Sequence, residues 1–125
     1  MCYDLGFPVW MRQSQREKPA MAPEYDLLIV SANWPQARSL AWRTLLQARA
    51  IENQCYVIGV NRTGQDGKGL VYGGESMVLG PSGEHIKMMG AAEEIFSHTL
   101  DREKLETLRT QLPFWRDADT FFIQP

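Results

Sequence analysis

Cys2 is the residue of this chain best equipped to make and break a covalent bond. A thiolate is the strongest intrinsic nucleophile among side chains, and this one opens the tight stretch Cys2-Tyr3-Asp4-Leu5-Gly6-Phe7-Pro8. Backbone N–H groups at such a turn, with nearby charge, could activate it. Spacing alone leaves open the plainer reading of a cysteine close to a start codon. The second thiol, Cys55, sits in Gln54-Cys55-Tyr56-Val57-Ile58 at the head of an apolar run, where thiols behave as small apolar side chains, and it is assigned no function. Acid and base types are supplied by Glu17, Lys18, Glu24, Glu52, Lys68, Glu75, Glu84 and Lys87, each read first as a solvated or salt-bridging group. His85 and His98 are isolated from each other and from the cysteines, so no metal site is expected. Gly64, Gly67 and Gly69 are not followed by Lys-Ser or Lys-Thr and a helix, which excludes a phosphate loop. Nothing calls for a cofactor.

The elements that would hold these residues alternate in type. Tyr25 to Ser31 is a continuous apolar run with branched residues, the pattern of a strand covered on both faces by helices. After Asn33-Trp34-Pro35, the stretch Ser39 to Asn53 reads as a helix. Leu40, Trp42, Leu45, Leu46, Ala48 and Ile51 recur near helical spacing, and Arg43, Gln47 and Arg49 mark its wetter side. Cys55 to Asn61 reads as a second buried strand and Thr63 to Gly69 as a glycine-rich turn. Short strands are expected at Glu75–Leu79 and Glu84–Met88, joined by Gly80-Pro81-Ser82-Gly83, and another at Ala92–Leu100. A last helix opens at Asp101 as its N-cap, presents Leu105, Leu108 and Leu112 inward, and stops at Pro113. Strand, helix, strand is an α/β signal. Glu17 to Pro23 breaks two ordered segments without dividing the chain into domains.

Composition narrows the function classes. The 125 residues, 44% hydrophobic and 22% charged, suit one globular domain with one core. Thirteen Lys and Arg against fifteen Asp and Glu give a net charge of −2 without long like-charge runs, so neither nucleic acid nor an anionic membrane is an expected partner. The longest apolar stretch, Leu27 to Val30 with Ser31 and Ala32 behind it, is far below the roughly 20 residues of a membrane span. No signal peptide is readable at Met1-Cys2-Tyr3-Asp4, so the expected compartment is the cytoplasm, where two cysteines are argued separately rather than as a disulfide.

Cys2-Tyr3-Asp4-Leu5-Gly6-Phe7-Pro8 resembles the Cys-Tyr-Asp-x-Arg-Phe-Pro nucleophile motif of the carbon–nitrogen hydrolase (nitrilase) superfamily. Asn33-Trp34-Pro35, Ala48-Arg49-Ala50-Ile51-Glu52-Asn53, Gly59-Val60-Asn61-Arg62, Gly74-Glu75-Ser76 and Pro81-Ser82-Gly83-Glu84 follow in that family's order. Ala32-Asn33-Trp34-Pro35 and the closing Pro113-Phe114-Trp115-Arg116-Asp117-Ala118-Asp119 are most similar to its omega-amidase branch. The resemblance implies a thiolate that attacks an amide carbon, loss of ammonia, and hydrolysis of the resulting thioester. It implies a Glu-Lys-Cys triad with Glu as general base and Lys as oxyanion partner. Carried over residue by residue, it makes Cys2 the nucleophile and the Tyr3 N–H an oxyanion donor. Asn33 and Trp34 line the acyl pocket, and Asp4 and Glu52 support the site from behind.

Gly6 stands where the motif carries arginine, so a guanidinium bracing the turn is expected to be missing. The triad's Glu and Lys precede the cysteine in the family, and here only Met1 does. The expected fold is therefore α/β, the C-terminal half of a nitrilase-type αββα sandwich. Two readings of function result. One is an omega-amidase-like hydrolase of a small carboxamide such as the ω-amide of a 2-oxo dicarboxylic acid. The other is a catalytically silent piece, or a module that pairs with a separate N-terminal half. A third would use the α-amine of a processed Cys2 as base. Half a sandwich leaves apolar sheet surface uncovered, so a homo-oligomer or pairing with that other half is expected.

Overall fold

The computed structural model describes residues 2–13 and 23–119. The expectations at Glu17, Lys18 and the rest of the 17–22 breaker lie outside the described residues. The chain opens with a 3-10 turn, Cys2–Gly6, and a single-turn helix α1, Pro8–Met11. Strand β1, Leu27–Ala32, and helix α2, Ser39–Asn53, follow, separated by a 3-10 turn at Gln36–Arg38. Next come β2, Tyr56–Asn61, β3, Thr63–Gln65, β4, Val71–Gly73, β5, Met77–Leu79, and β6, His85–Met88. Helix α3, Arg102–Gln111, and a 3-10 turn at Phe114–Asp117 close it.

Four strands form a mixed sheet in the order β1-β2-β5-β6, with β1 parallel to β2 and the other pairs antiparallel. A parallel pair needs a crossover, and α2 provides it. Its buried stripe of Trp42, Leu46, Arg49, Ala50 and Asn53 runs at helical spacing and lies on the sheet face that carries Val30, Val57, Met77 and Leu79. Contact is close at Gly59, where a Cβ would fall 2.4 Å from Leu46 Cδ1 and 2.9 Å from the Trp42 ring. Only glycine lets the helix approach that near.

The opposite face of the sheet is not covered as a doubly buried strand would require. Tyr56 and Val78 are buried on that face, with the Tyr56 hydroxyl donating to the Asp101 carbonyl at 2.9 Å, but Ile29 is 62% exposed and Val60 is also exposed, so its cover is partial. Ala92–Leu100 is not a strand either. Its backbone makes no ladder with any described strand, Ile95 is 95% exposed, and an extended segment without a ladder partner is not a strand whatever its side-chain pattern. Lys87 fastens this segment, with Nζ 2.7 Å from Glu94 Oε1 and 5.5 Å from the Phe96 ring centroid. The glycine-rich turn at Thr63–Gly69 is the first arm and tip of the β3–β4 hairpin, whose Asp66 carboxylate accepts the N–H groups of Lys68 and Leu70, both at 2.9 Å.

Helix α3 begins as expected, with Asp101 Oδ1 accepting the Lys104 N–H at 3.0 Å. Its inner face differs. Leu105 is buried and Leu108 half-buried, but Leu112 is exposed, and Arg109 takes the inner position. The Arg109 guanidinium donates to the Gln54 carbonyl at 2.9 Å, the Tyr25 carbonyl at 2.8 Å and the Asp26 carboxylate at 2.5 Å. A fork of several donors suits three acceptors on two separate stretches of chain.

Candidate active site

Cys2 heads the first 3-10 turn, half-buried, with its side chain against the core cluster of Leu5, Val30, Trp42 and Leu46. Leu5, fully buried, pins the turn from below. The Tyr3 N–H belongs to the first residues of the turn, where no preceding helical carbonyl can accept it. The Tyr3 ring points outward and packs on Phe7 with centroids 5.5 Å apart. Asp4 is half-buried, and its carbonyl accepts the Phe7 N–H at 2.8 Å, closing the turn.

The turn is braced from α2. Arg49, only 3% exposed, donates through Nη2 to the Leu5 carbonyl at 2.6 Å and through Nη1 to Glu52 Oε1 at 2.8 Å. This corrects two expectations: Arg49 does not lie on the wet side of the helix, and the turn does not lack a guanidinium. The brace comes from a distant arginine, not from position 6. Among the described residues, Glu52 reaches the turn only through Arg49. A second latch lies just beyond. Gln13 donates its N–H to Asn53 Oδ1 at 3.0 Å and its Nε2 to the carbonyls of Asn53 at 2.7 Å and Tyr25 at 2.9 Å, while the Tyr25 hydroxyl donates to the Met11 carbonyl. Burial, first among several causes, raises the Tyr25 hydroxyl's pKa.

The loop after β1 is fixed equally firmly. Asn61, on β2, accepts the Trp34 N–H at 2.7 Å and donates to the carbonyls of Trp34 at 3.0 Å and Gly74 at 2.8 Å. Ser76 Oγ accepts the Asn61 N–H at 2.9 Å. Trp34, half-buried, stacks 5.6 Å from Trp42, and its indole N–H is already given to the Arg38 carbonyl at 2.8 Å. Trp34 can therefore serve as a wall but has no indole proton to offer a ligand. Asn33, next to it, is exposed. Trp34 and Cys2 pack on the same core cluster from the two loops.

The family model for carbon-nitrogen hydrolases matches residues 1–110. The chain belongs to the carbon–nitrogen hydrolase family. It is 46% identical over 122 residues to omega-amidase YafV of Escherichia coli K12, a match covering 97% of this chain and 44% of that protein. Identity to the 2-oxoglutaramate amidase of Bacillus subtilis is 33%, over 94% of this chain and 42% of that one. Among solved structures it superposes with a TM-score of 0.94 and 40% identity on XC1258 of Xanthomonas campestris, a CN-hydrolase superfamily protein with an arsenic adduct in its active site, over 98% of this chain and 46% of that one. The chain thus spans less than half the length of these carbon–nitrogen hydrolase relatives.

The two thiols of this carbon–nitrogen hydrolase chain differ in burial, Cys2 being half-buried and Cys55 buried. Cys55 is fully buried, and its pKa is pushed up to about 12, chiefly by burial, which leaves it inert at neutral pH. Among the candidate acids and bases, Glu84, Glu75 and Lys87 are engaged elsewhere. Glu84 holds Lys104 at 2.9 Å and the Ser82 N–H at 3.0 Å. Burial raises its pKa, and these bonds overcome that and leave the carboxyl below its usual range. Glu75, in a left-handed conformation, gives its carbonyl to the Trp42 indole at 2.8 Å and sits 3.5 Å from Arg43. Sequence reasoning gave no role to Arg49, Asn53, Asn61 or Ser76, although each fell in a stretch matched to the family, and Gln13 carried no signal at all.

Proposed function

We propose that this chain is the nucleophile-bearing, C-terminal part of an omega-amidase-like hydrolase that cleaves a small carboxamide to an acid and ammonia. The observation carrying this reading is the placement of Cys2 at the head of a turn held by a buried arginine, in a sequence 46% identical to an omega-amidase. In the reaction the Cys2 Sγ attacks the amide carbon and the Tyr3 N–H takes a share of the oxyanion's charge. The C–N bond then breaks, and ammonia departs with a proton from the general acid. Water attacks the thioester carbon, the C–S bond breaks, and the acid leaves with the thiol regenerated. Asn33 and Trp34 bound the acyl group, and the name of the Bacillus relative points to ω-amides of 2-oxo dicarboxylic acids as the substrate class.

The general-base Glu and oxyanion Lys of the family pattern match no residue of this chain. In this reading they come from a companion segment that seats on the open part of the sheet face at Ile29 and Val60, whose apolar exposure favours cover. The experiment is ammonia release from 2-oxoglutaramate by the chain alone and by a chimera carrying the part of the E. coli relative that this chain does not span. Turnover is expected from the chimera and not from its Cys2→Ala form. A folded chimera that releases no ammonia favours the silent reading and overturns the catalytic one.

A further inference from the structure

We infer that Arg49 is a positioning residue for the nucleophile turn: it aligns Cys2 and the Tyr3 N–H by holding the Leu5 carbonyl, and Glu52 keeps its guanidinium aimed. This rests on the proposed role of Cys2. Arg49 lies 44 residues from Leu5 in sequence, yet its Nη2 is 2.6 Å from the Leu5 oxygen, a short charge-assisted bond. Its side chain is almost wholly enclosed, and Nε has no hydrogen-bond partner among the described residues. A guanidinium held in such a place is retained by its two other bonds, to Leu5 and to Glu52.

Within the turn, the Asp4 carbonyl accepts the Phe7 N–H at 2.8 Å. A side chain at Gly6 would meet nothing within 4 Å of its Cβ, and Tyr3 and Phe7 pack with each other on the outside. The downstream latch grips the chain at Met11 and Gln13, past the turn. The bond from Arg49 to the Leu5 carbonyl ties the middle of Cys2–Gly6 to α2. Arginine suits the task because its planar fork serves a carbonyl and a carboxylate at once, whereas lysine is a point charge that can satisfy one of them well. Glu52 is half out in solvent, three residues along the same helix, and among the described residues it reaches the turn through Arg49.

The test uses the full chain and two thiol probes. Acrylamide reads thiol reactivity together with amide recognition: Sγ bonds to the terminal alkene carbon, the alkene π bond breaks, and the α-carbon takes a proton from water. Dithiodipyridine reads thiol access alone: Sγ bonds to one sulfur, the S–S bond breaks, and thiopyridone leaves. Intact-mass kinetics give the ratio of the two rates at Cys2, normalised to the same ratio in the urea-unfolded chain.

Wild type should show an amide preference, and Arg49→Met should reduce it by about tenfold, within the roughly hundredfold that a misplacement of about 1 Å can cost. Arg49→Lys should restore part of it, and Glu52→Gln should fall between wild type and Arg49→Met. A merely structural role would change both rates together and leave the ratio fixed. If Arg49→Met does not fold, as judged by circular dichroism, Arg49→Lys and Glu52→Gln carry the comparison. A folded Arg49 variant with wild-type ratio, or a Glu52→Gln and Arg49→Lys pair both at wild-type ratio, overturns the inference. A wild-type chain with no amide preference over the unfolded one overturns the inference, whereas the role of Cys2 stands or falls with ammonia release by the chimera.

Discussion

Asn61 and Trp34 exchange a reciprocal pair of hydrogen bonds, the Trp34 N–H to Asn61 Oδ1 at 2.7 Å and Asn61 Nδ2 to the Trp34 carbonyl at 3.0 Å. One side chain on β2 thus substitutes for a backbone partner and extends the β1–β2 pairing by a step, just where the chain must leave the sheet to carry Asn33 and Trp34. A primary amide is the one neutral side chain able to accept and donate in this way.

Replacing Asn61 with Ala leaves the Trp34 N–H and carbonyl and the Gly74 carbonyl without their partner. A loss of about 1–3 kcal/mol is expected, the usual cost of stranded polar groups. Urea unfolding followed by tryptophan fluorescence measures it. An unchanged midpoint would show that water replaces the amide and that the loop is not held by it.

Alkaline pH should destabilise the fold through Cys55. Its pKa is raised from 9.0 to about 12, mainly by burial, so above pH 9 the unfolded chain releases a proton that the folded chain retains. The native state then binds more protons than the unfolded one, and stability falls with rising pH. It should be complete below pH 9 and decline progressively towards pH 12, with the Tyr25 hydroxyl, also raised, adding in the same direction. Cys55→Ala should flatten part of that decline in denaturant midpoints measured across this range. A decline of the same steepness in the variant would assign the effect to other groups.

The regular elements were legible because their sequence signals are local. The helix read over Ser39–Asn53 is found over those same residues, and both core strands fall within two residues of their expected starts. Arg49 shows what was readable and missed. Trp42, Leu46, Arg49 and Asn53 follow the three- and four-residue spacing of one helical face, so its spacing placed it inside while its charge suggested water. The acceptors that make its burial tolerable, Leu5 and Glu52, could not be paired with it before the chain was folded. Ala92–Leu100 fails for a different reason: a strand needs a neighbouring backbone, and sequence does not say whether one is present. The openness of Ile29 is a related error, since an apolar run states that a surface should be covered and not what covers it.

The carbonyl of Tyr25 accepts from Gln13 Nε2 at 2.9 Å and from Arg109 Nη2 at 2.8 Å, and the neighbouring Asn53 and Gln54 carbonyls accept from the same two side chains. The opening arm of the chain and its last helix are therefore moored to one bollard, although they never need touch. Such mooring makes the two fray together: an opening that frees Tyr25 and the end of α2 releases both at once. Native-state hydrogen exchange would show it as a shared opening energy for the amides of residues 8–13 and 102–111. Two separate energies would mean that each is tied down on its own.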